Sequence, residues 1–224
     1  MEQKINLVRK RNSIMEKIGI IGAGSWGTAL SLALANNGHS VLIWSIVEAE
    51  IDMLKKNHEH LDKLPGVKLP DTVDFTTDIE KTITESDMLV LAVPSVFTRS
   101  TAQKMSPYVK DGQIIVCVAK GIEDDTLMTI SDVVEQEIPK ADVAVLCGPS
   151  HAEEVGIGLP TTLVAGAHTK ATAEHIQEVF MSQVLRVYTS PDMLGMELGG
   201  SLKNVIALAA GMADGLGYGD NTKA

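Results

Sequence analysis

Only two cysteines, Cys117 and Cys147, occur in 224 residues. Both sit in apolar, strand-like runs, so they neither frame a disulfide scaffold nor show zinc-ligand spacing. They read as reduced core residues of a cytoplasmic protein, with no metal. No apolar run approaches the roughly 20 residues that a membrane-spanning helix requires, so no membrane span is expected. Positive charge is also short: 19 bases face 29 acids, for a net charge of −10. That balance excludes a general nucleic-acid binder, which needs a basic surface to displace counterions. It leaves room for a phosphorylated small molecule, because a local site can be positive inside an acidic protein. The first residues, "MEQKINLVRKRNSI", carry one acid and four bases but lack the apolar stretch of a secretory signal. Residues 1–15 read as an extension ahead of the domain, with Met15 an alternative start.

What is present is an alternation of short apolar runs with helical patterns. "KIGIIG" (17–22) is an unbroken apolar run ending in glycine, as in a strand buried on both faces. "SWGTALSLALANNG" (25–38) has helical spacing and ends at Gly38, a good residue to follow a helix. "SVLIWS" (40–45), "DMLVLAVP" (87–94), "QIIVCVA" (113–119) and "DVAVLCG" (142–148) are further strands, and "EAEIDMLKKNHEH" (48–60) is an exposed helix. "TTLVAGA" (161–167) and "VLRVYTS" (184–190) bracket another helix and extend the sheet. Such an order predicts an α/β fold with a doubly wound, mainly parallel, Rossmann-type sheet over 16–190. After Pro191 the pattern becomes one long helix rich in small residues, the expected start of an all-helical second domain over 191–224.

"GAGSWG" places Gly22, Gly24 and Gly27 in G-x-G-x-x-G register between a buried strand and a helix, the context that gives the motif meaning. The first glycine permits the tight turn, the second lets the backbone approach a pyrophosphate, and the third lets helix and strand pack closely. The helix start near Ser25 offers free N–H groups and a positive dipole end to phosphate. Cofactor choice stays open between NAD and NADP. The end of the second strand holds Trp44, Ser45 and Ile46, with Glu48 and Glu50 a little late for the ribose-binding acid, and the nearest bases are Lys55 and Lys56.

Ligands of an open α/β sheet bind beyond the carboxyl ends of its strands. Lys120 follows the strand "IIVCVA" directly; it is either a solvated loop lysine or an ammonium reaching over the crevice. Ser150 and Glu153 fit an S-x-x-E capping box opening a helix, whose start also points N–H groups toward an anion. Lys203 has Gly199, Gly200, Ile206 and Ala207 as helical neighbours. Such a lysine either snorkels at a domain junction or loses solvation, which lowers its pKa toward proton transfer near neutrality. His58 and His60 read as part of a solvated helix face.

The segments "IGAGSWGTALSLALANNGHSV", "VPS", "AKGIE", "CGPSHAEEV", "GLPTTLV" and "LGGSLKNVIALAAGMADGLGYGDNTKA" together closely resemble bacterial NAD(P)-dependent glycerol-3-phosphate dehydrogenase. The resemblance implies interconversion of dihydroxyacetone phosphate and sn-glycerol 3-phosphate, feeding phospholipid synthesis, in a homodimer. It implies Lys203 as the catalytic proton donor and Lys120 as a contact to both cofactor and substrate. Gly148, Ser150 and Asn204 would hold substrate, and Ser25, Trp26 and Ala152 would contact the cofactor. Two departures stand out. Ile46 replaces the basic or polar residue common in the family after the second strand. The family's helical domain also continues for about another hundred residues, so the chain reads as a dinucleotide-binding domain plus the first piece of the substrate domain. Two other readings remain: a dinucleotide-binding fragment without turnover, and a 6-phosphogluconate or β-hydroxyacid type of dehydrogenase.

Overall fold

A computed structural model describes residues 15–223; the expected extension therefore lies, except for Met15, outside the described residues. Strands β1 (Lys17–Ile21), β2 (Ser40–Trp44), β3 (Val73–Thr76), β4 (Met88–Leu91), β5 (Ile114–Cys117), β6 (Asp142–Cys147), β7 (Thr161–Ala167) and β8 (Leu185–Ser190) form one sheet in the order β3-β2-β1-β4-β5-β6-β7-β8. All pairings are parallel except β6 with β7. The chain runs outward from β1 to β3, then returns to β4 and builds the other half. A crevice therefore opens beyond the carboxyl ends of β1 and β4, where the winding reverses.

Successive strand residues point to opposite faces, and the buried strands separate their apolar side chains accordingly. Ile18, Ile20, Met88 and Val90 pack on one face with Leu30 and Leu34 of helix α1 (Ser25–Asn36) and Ile176 and Phe180 of α7 (Lys170–Phe180). Ile21, Leu89 and Leu91 pack on the other face with residues from α3 (Ile79–Thr84), α4 (Thr98–Met105), α5 (Ile130–Glu137) and α8 (Met193–Gly215). The near-continuous apolar strands of the sequence are explained by this two-sided burial.

Helix α2 (Glu48–Asn57) ends three residues short of expectation, because His58 takes a left-handed conformation at φ 48°. The two histidines consequently do not lie on a solvated helix face. His58 stands edge-on to Phe75 at 5.4 Å, and the His60 side chain is 1% exposed. Two further differences concern helix starts. Helix α3, capped by Asp78, is too short for its periodicity to show in the sequence. Helix α6 (Ala152–Gly156) has His151 as its N-cap with no side-chain cap bond, so the Ser150–Glu153 capping box does not form.

Helix α8 packs its first two turns against β6 and β7, burying Met193 and Glu197. Beyond Ser201 it stands clear, with Val205, Ile206, Leu208 and Met212 exposed. A four-residue helix, α9 (Asp220–Lys223), ends the described residues. No helix among them is long and apolar enough to cross a membrane.

Candidate active site

Two cavities occupy the carboxyl edge of the sheet and meet at Ser25, Lys120 and Ser150. The first, of about 740 Å³, runs along the glycine turn after β1, the end of β2 and the 94–104 segment after β4. Gly22, Gly24, Ser25, Trp26 and Lys120 lie on its wall. Gly27 lies behind that wall, and the reason is steric. A Cβ there would fall 2.3 Å from the Gly22 carbonyl oxygen, so only glycine lets α1 start so close to β1. Gly22 itself has φ +119°, and a Cβ would sit 2.9 Å from the Ala92 backbone. Gly24 differs: φ is −70°, and a Cβ would meet nothing within 4 Å. The space beside Gly24 is open, as a site for a pyrophosphate requires. Helix α1 has no acid in its first turn and no side-chain cap, so its positive end faces this space uncompensated.

The second cavity, of about 660 Å³, is enclosed by the loop after β6 and by α8. Lys120, Gly148, Ser150, Ala152 and Lys203 all line it. Ala152 thus faces this cavity and not the first. Asn204 is on neither wall; it is exposed, and its Oδ1 accepts a hydrogen bond from Lys203 Nζ at 2.6 Å. Lys203 is exposed as well, so the described residues do not supply the desolvation expected from its small neighbours.

Lys120 is partly buried. Its Nζ donates to Ser150 Oγ, and its pKa lies below the ordinary lysine value, first through burial and then through the positive charge of Lys203. Two cations therefore converge on one cavity of an acidic protein. The loop that follows Lys120 is anchored by Arg99 of α4, which meets Glu123 through two hydrogen bonds of 2.8 and 2.7 Å. That contact draws the Glu123 carboxyl down to about 2.

Cys147 proves only partly buried and lines the second cavity. Burial, helped by Glu197, pushes its thiol up to about 11, so at neutral pH it carries its proton and is a poor nucleophile. Cys117 is fully buried and also raised. Among the described residues no three His, Cys, Asp or Glu side chains gather as metal ligands do. Wall residues that the sequence did not single out include Lys63, Phe97 and Lys104. Lys63 stands in a loop with no periodicity, and nothing local marks it as returning to β2.

A doubly wound sheet of this strand order, with a glycine-lined crevice at the reversal and a helix start aimed into it, defines a dinucleotide-binding protein of the Rossmann class. The first 157 residues of β1 to α7 and the terminal helices identify which one: residues 17–173 match the family described as NAD-dependent glycerol-3-phosphate dehydrogenase N-terminus, and residues 192–224 match its C-terminus. The chain belongs to the NAD-dependent glycerol-3-phosphate dehydrogenase family. It is 80% identical over 94% of its length to glycerol-3-phosphate dehydrogenase (NAD(P)+) of Agathobacter rectalis, covering 62% of that protein. The corresponding enzyme of Fusobacterium nucleatum is 53% identical, with 94% of this chain and 63% of that one covered. A crystal structure of glycerol-3-phosphate dehydrogenase from Coxiella burnetii superposes with a TM-score of 0.85 at 32% identity, covering 93% of this chain and 64% of that one. The chain thus spans a little over three fifths of the length of these relatives.

Proposed function

We propose that the protein interconverts dihydroxyacetone phosphate and sn-glycerol 3-phosphate with NAD(H) or NADP(H), supplying glycerol 3-phosphate for phospholipid synthesis. The observation that carries this reading is the meeting of Lys120 and Lys203 in a cavity that opens onto the glycine-lined crevice. In the proposal, residues 16–190 form the dinucleotide domain and 191–224 the beginning of a helical substrate domain.

Gly22, Gly24, Ser25, Trp26 and Gly27 would hold the dinucleotide, with its pyrophosphate over the start of α1, and Lys120 and Ala152 would border the nicotinamide end. The bound nicotinamide supplies the hydride. As negative charge grows on the C2 oxygen of the substrate, Lys203 donates a proton to that oxygen and reclaims it in the reverse direction. Asn204 orients the Lys203 ammonium through its Oδ1. Lys120, Gly148 and Ser150 hold the phosphorylated substrate, and the Lys120 charge adds to the field that favours the oxyanion. A cytoplasmic homodimer belongs to the same proposal; the exposed apolar residues of α8 offer surface for self-association, which sedimentation would read directly.

NADH titration followed by absorbance at 340 nm after addition of dihydroxyacetone phosphate tests the reading, beside Lys203→Ala. NADH binding, with oxidation that the substitution abolishes, is the expected result. A folded chain that binds no NADH would refute it.

A further inference from the structure

The carboxyl end of β2 carries an ion pair that the chemistry above does not use. Glu50 stands in the first turn of α2, 23 residues after Gly27. Ser45 Oγ donates to Glu50 Oε2 at 2.7 Å. Lys63 Nζ donates to Oε1 from a loop thirteen residues further along, and His60 Nε2 lies 3.9 Å from the same oxygen. Ser45, Glu50 and Lys63 all stand on the wall of the dinucleotide cavity, beside Ile46 and Val47.

In a doubly wound fold the adenosine ribose of a dinucleotide falls at this strand end, and an acid about 20 residues beyond the glycines accepts its 2′-hydroxyl. In sequence Glu50 is late for that place. In the structure α2 begins so soon after β2 that its first turn brings the carboxylate back to Ser45. Burial works against its charge, but the bonds from Lys63 and Ser45 outweigh burial and hold the carboxyl below its ordinary value. A carboxylate has about four acceptor sites; two are engaged, and capacity remains for a ribose hydroxyl. A ribose 2′-phosphate would meet a fixed negative charge instead. Ile46 and Val47 bring no side-chain donor to offset it. Lys63 is already paired, and Lys104, the other lysine on this wall, belongs to α4 beyond β4.

Building on the dinucleotide reading, we propose that Glu50, held in place by Ser45 and Lys63, selects NAD(H) over NADP(H) by accepting the ribose 2′-hydroxyl and repelling a 2′-phosphate. Glu50 is in this sense a specificity-determining residue, and Lys63 is its counter-ion, not a phosphate ligand.

Separate titrations of NADH and NADPH into the 224-residue chain, read by nicotinamide fluorescence, test the assignment. The parent should bind NADH about tenfold or more tighter than NADPH, the scale expected for a like-charge contact. Glu50→Gln keeps the side chain's size and should cut that ratio severalfold, chiefly by tightening NADPH. Glu50→Gln combined with Lys63→Met should keep most of the gain. A parent that prefers NADPH, or a ratio untouched by Glu50→Gln, overturns the proposal while leaving dinucleotide binding intact. A gain that vanishes in the double variant makes Lys63 the selecting group and likewise overturns it. Circular dichroism identifies any variant that has not folded, and a folded parent that binds neither dinucleotide refutes the underlying reading itself.

Discussion

The backbone amide of Gly121 donates to Ser201 Oγ at 3.1 Å. This bond ties the residue after Lys120 to the residue two before Lys203, so the loop at the end of β5 and helix α8 hold their lysines toward one cavity. A second tie lies one helical turn earlier, where Glu197 of α8 receives the Ser131 amide at 3.0 Å and the Ser131 hydroxyl at the start of α5. Ser201 Oγ in turn donates to the Glu197 carbonyl at 2.8 Å.

Glu197 is 5% exposed, and its carboxylate sits at the positive end of α5. Glu197→Ala leaves the Ser131 amide without its acceptor and the Ser131 hydroxyl with only Thr129 Oγ1, at 3.1 Å, and should destabilise the protein by about 1–3 kcal/mol. Glu197→Gln, which keeps an acceptor, should cost less. Urea unfolding of the three proteins measures both, and equal stability of parent and alanine variant would show that this contact does not hold α8.

The glycines separate fold from ligand. Gly27→Ala forces a Cβ against the Gly22 carbonyl and should cost about 3 kcal/mol or more, visible as a lower melting temperature without any ligand. Gly24→Ala meets no atom and should leave stability within about 0.5 kcal/mol. Its NADH affinity should nonetheless fall about tenfold or more, because the methyl occupies the space the pyrophosphate needs. Unchanged affinity in Gly24→Ala would move the phosphates elsewhere.

Lys120 has a lowered pKa in the folded protein. Its protonated form is disfavoured there relative to the unfolded chain, so the group opposes folding at neutral pH. That opposition fades as pH rises through the lowered value toward 10.5. Lys120→Met should therefore melt no lower than the parent at neutral pH while losing about tenfold or more in NADH affinity. Lys203→Ala should move the Lys120 pKa upward, which a lysine-selective NMR titration would detect; a static Lys120 resonance would show that the two charges do not couple.

His39 and His60 are buried, and burial lowers both pKa values below 6.5 despite Glu16 beside the first and Glu50 beside the second. Each Nδ1 accepts a backbone amide, from Glu16 and Lys63 respectively, at 3.2 Å. Protonation would set donor against donor. Since the unfolded chain binds these protons more readily, stability should be complete above pH 6.5 and fall as pH drops through the folded values. Unfolding free energies between pH 7 and 5 should show that slope, and His60→Gln should flatten it; a slope unaltered in His60→Gln would place the titration elsewhere.

How much of this was legible in the chain follows from the range of each signal. Strands β4 and β5 are apolar throughout, and β1 and β6 after their first residue, because both faces are covered, and a run of four or five such residues is visible without any knowledge of partners. The turn from Gly22 to Gly27 is equally local: its glycines answer to backbone geometry within one strand–turn–helix unit. Lys120 could be placed at a strand end, and Lys203 on a helix of small residues, from sequence position alone. The sequence by itself thus determined the doubly wound sheet, the dinucleotide turn and the two lysines.

Tertiary structure decided what distant segments do to one another. Ser150 looks like a helix cap in sequence, yet it receives Lys120 because the loops after β5 and β6 lie side by side. His60 looks solvated in a charged stretch, yet the left-handed turn at His58 ends α2 and carries His60 inward. Glu50 and Lys63, thirteen residues apart and without a shared pattern, become a pair only when the loop after α2 folds back over β2. In each case the deciding energy is a hydrogen bond or a burial that reaches beyond a single element, and no periodicity within one element encodes it.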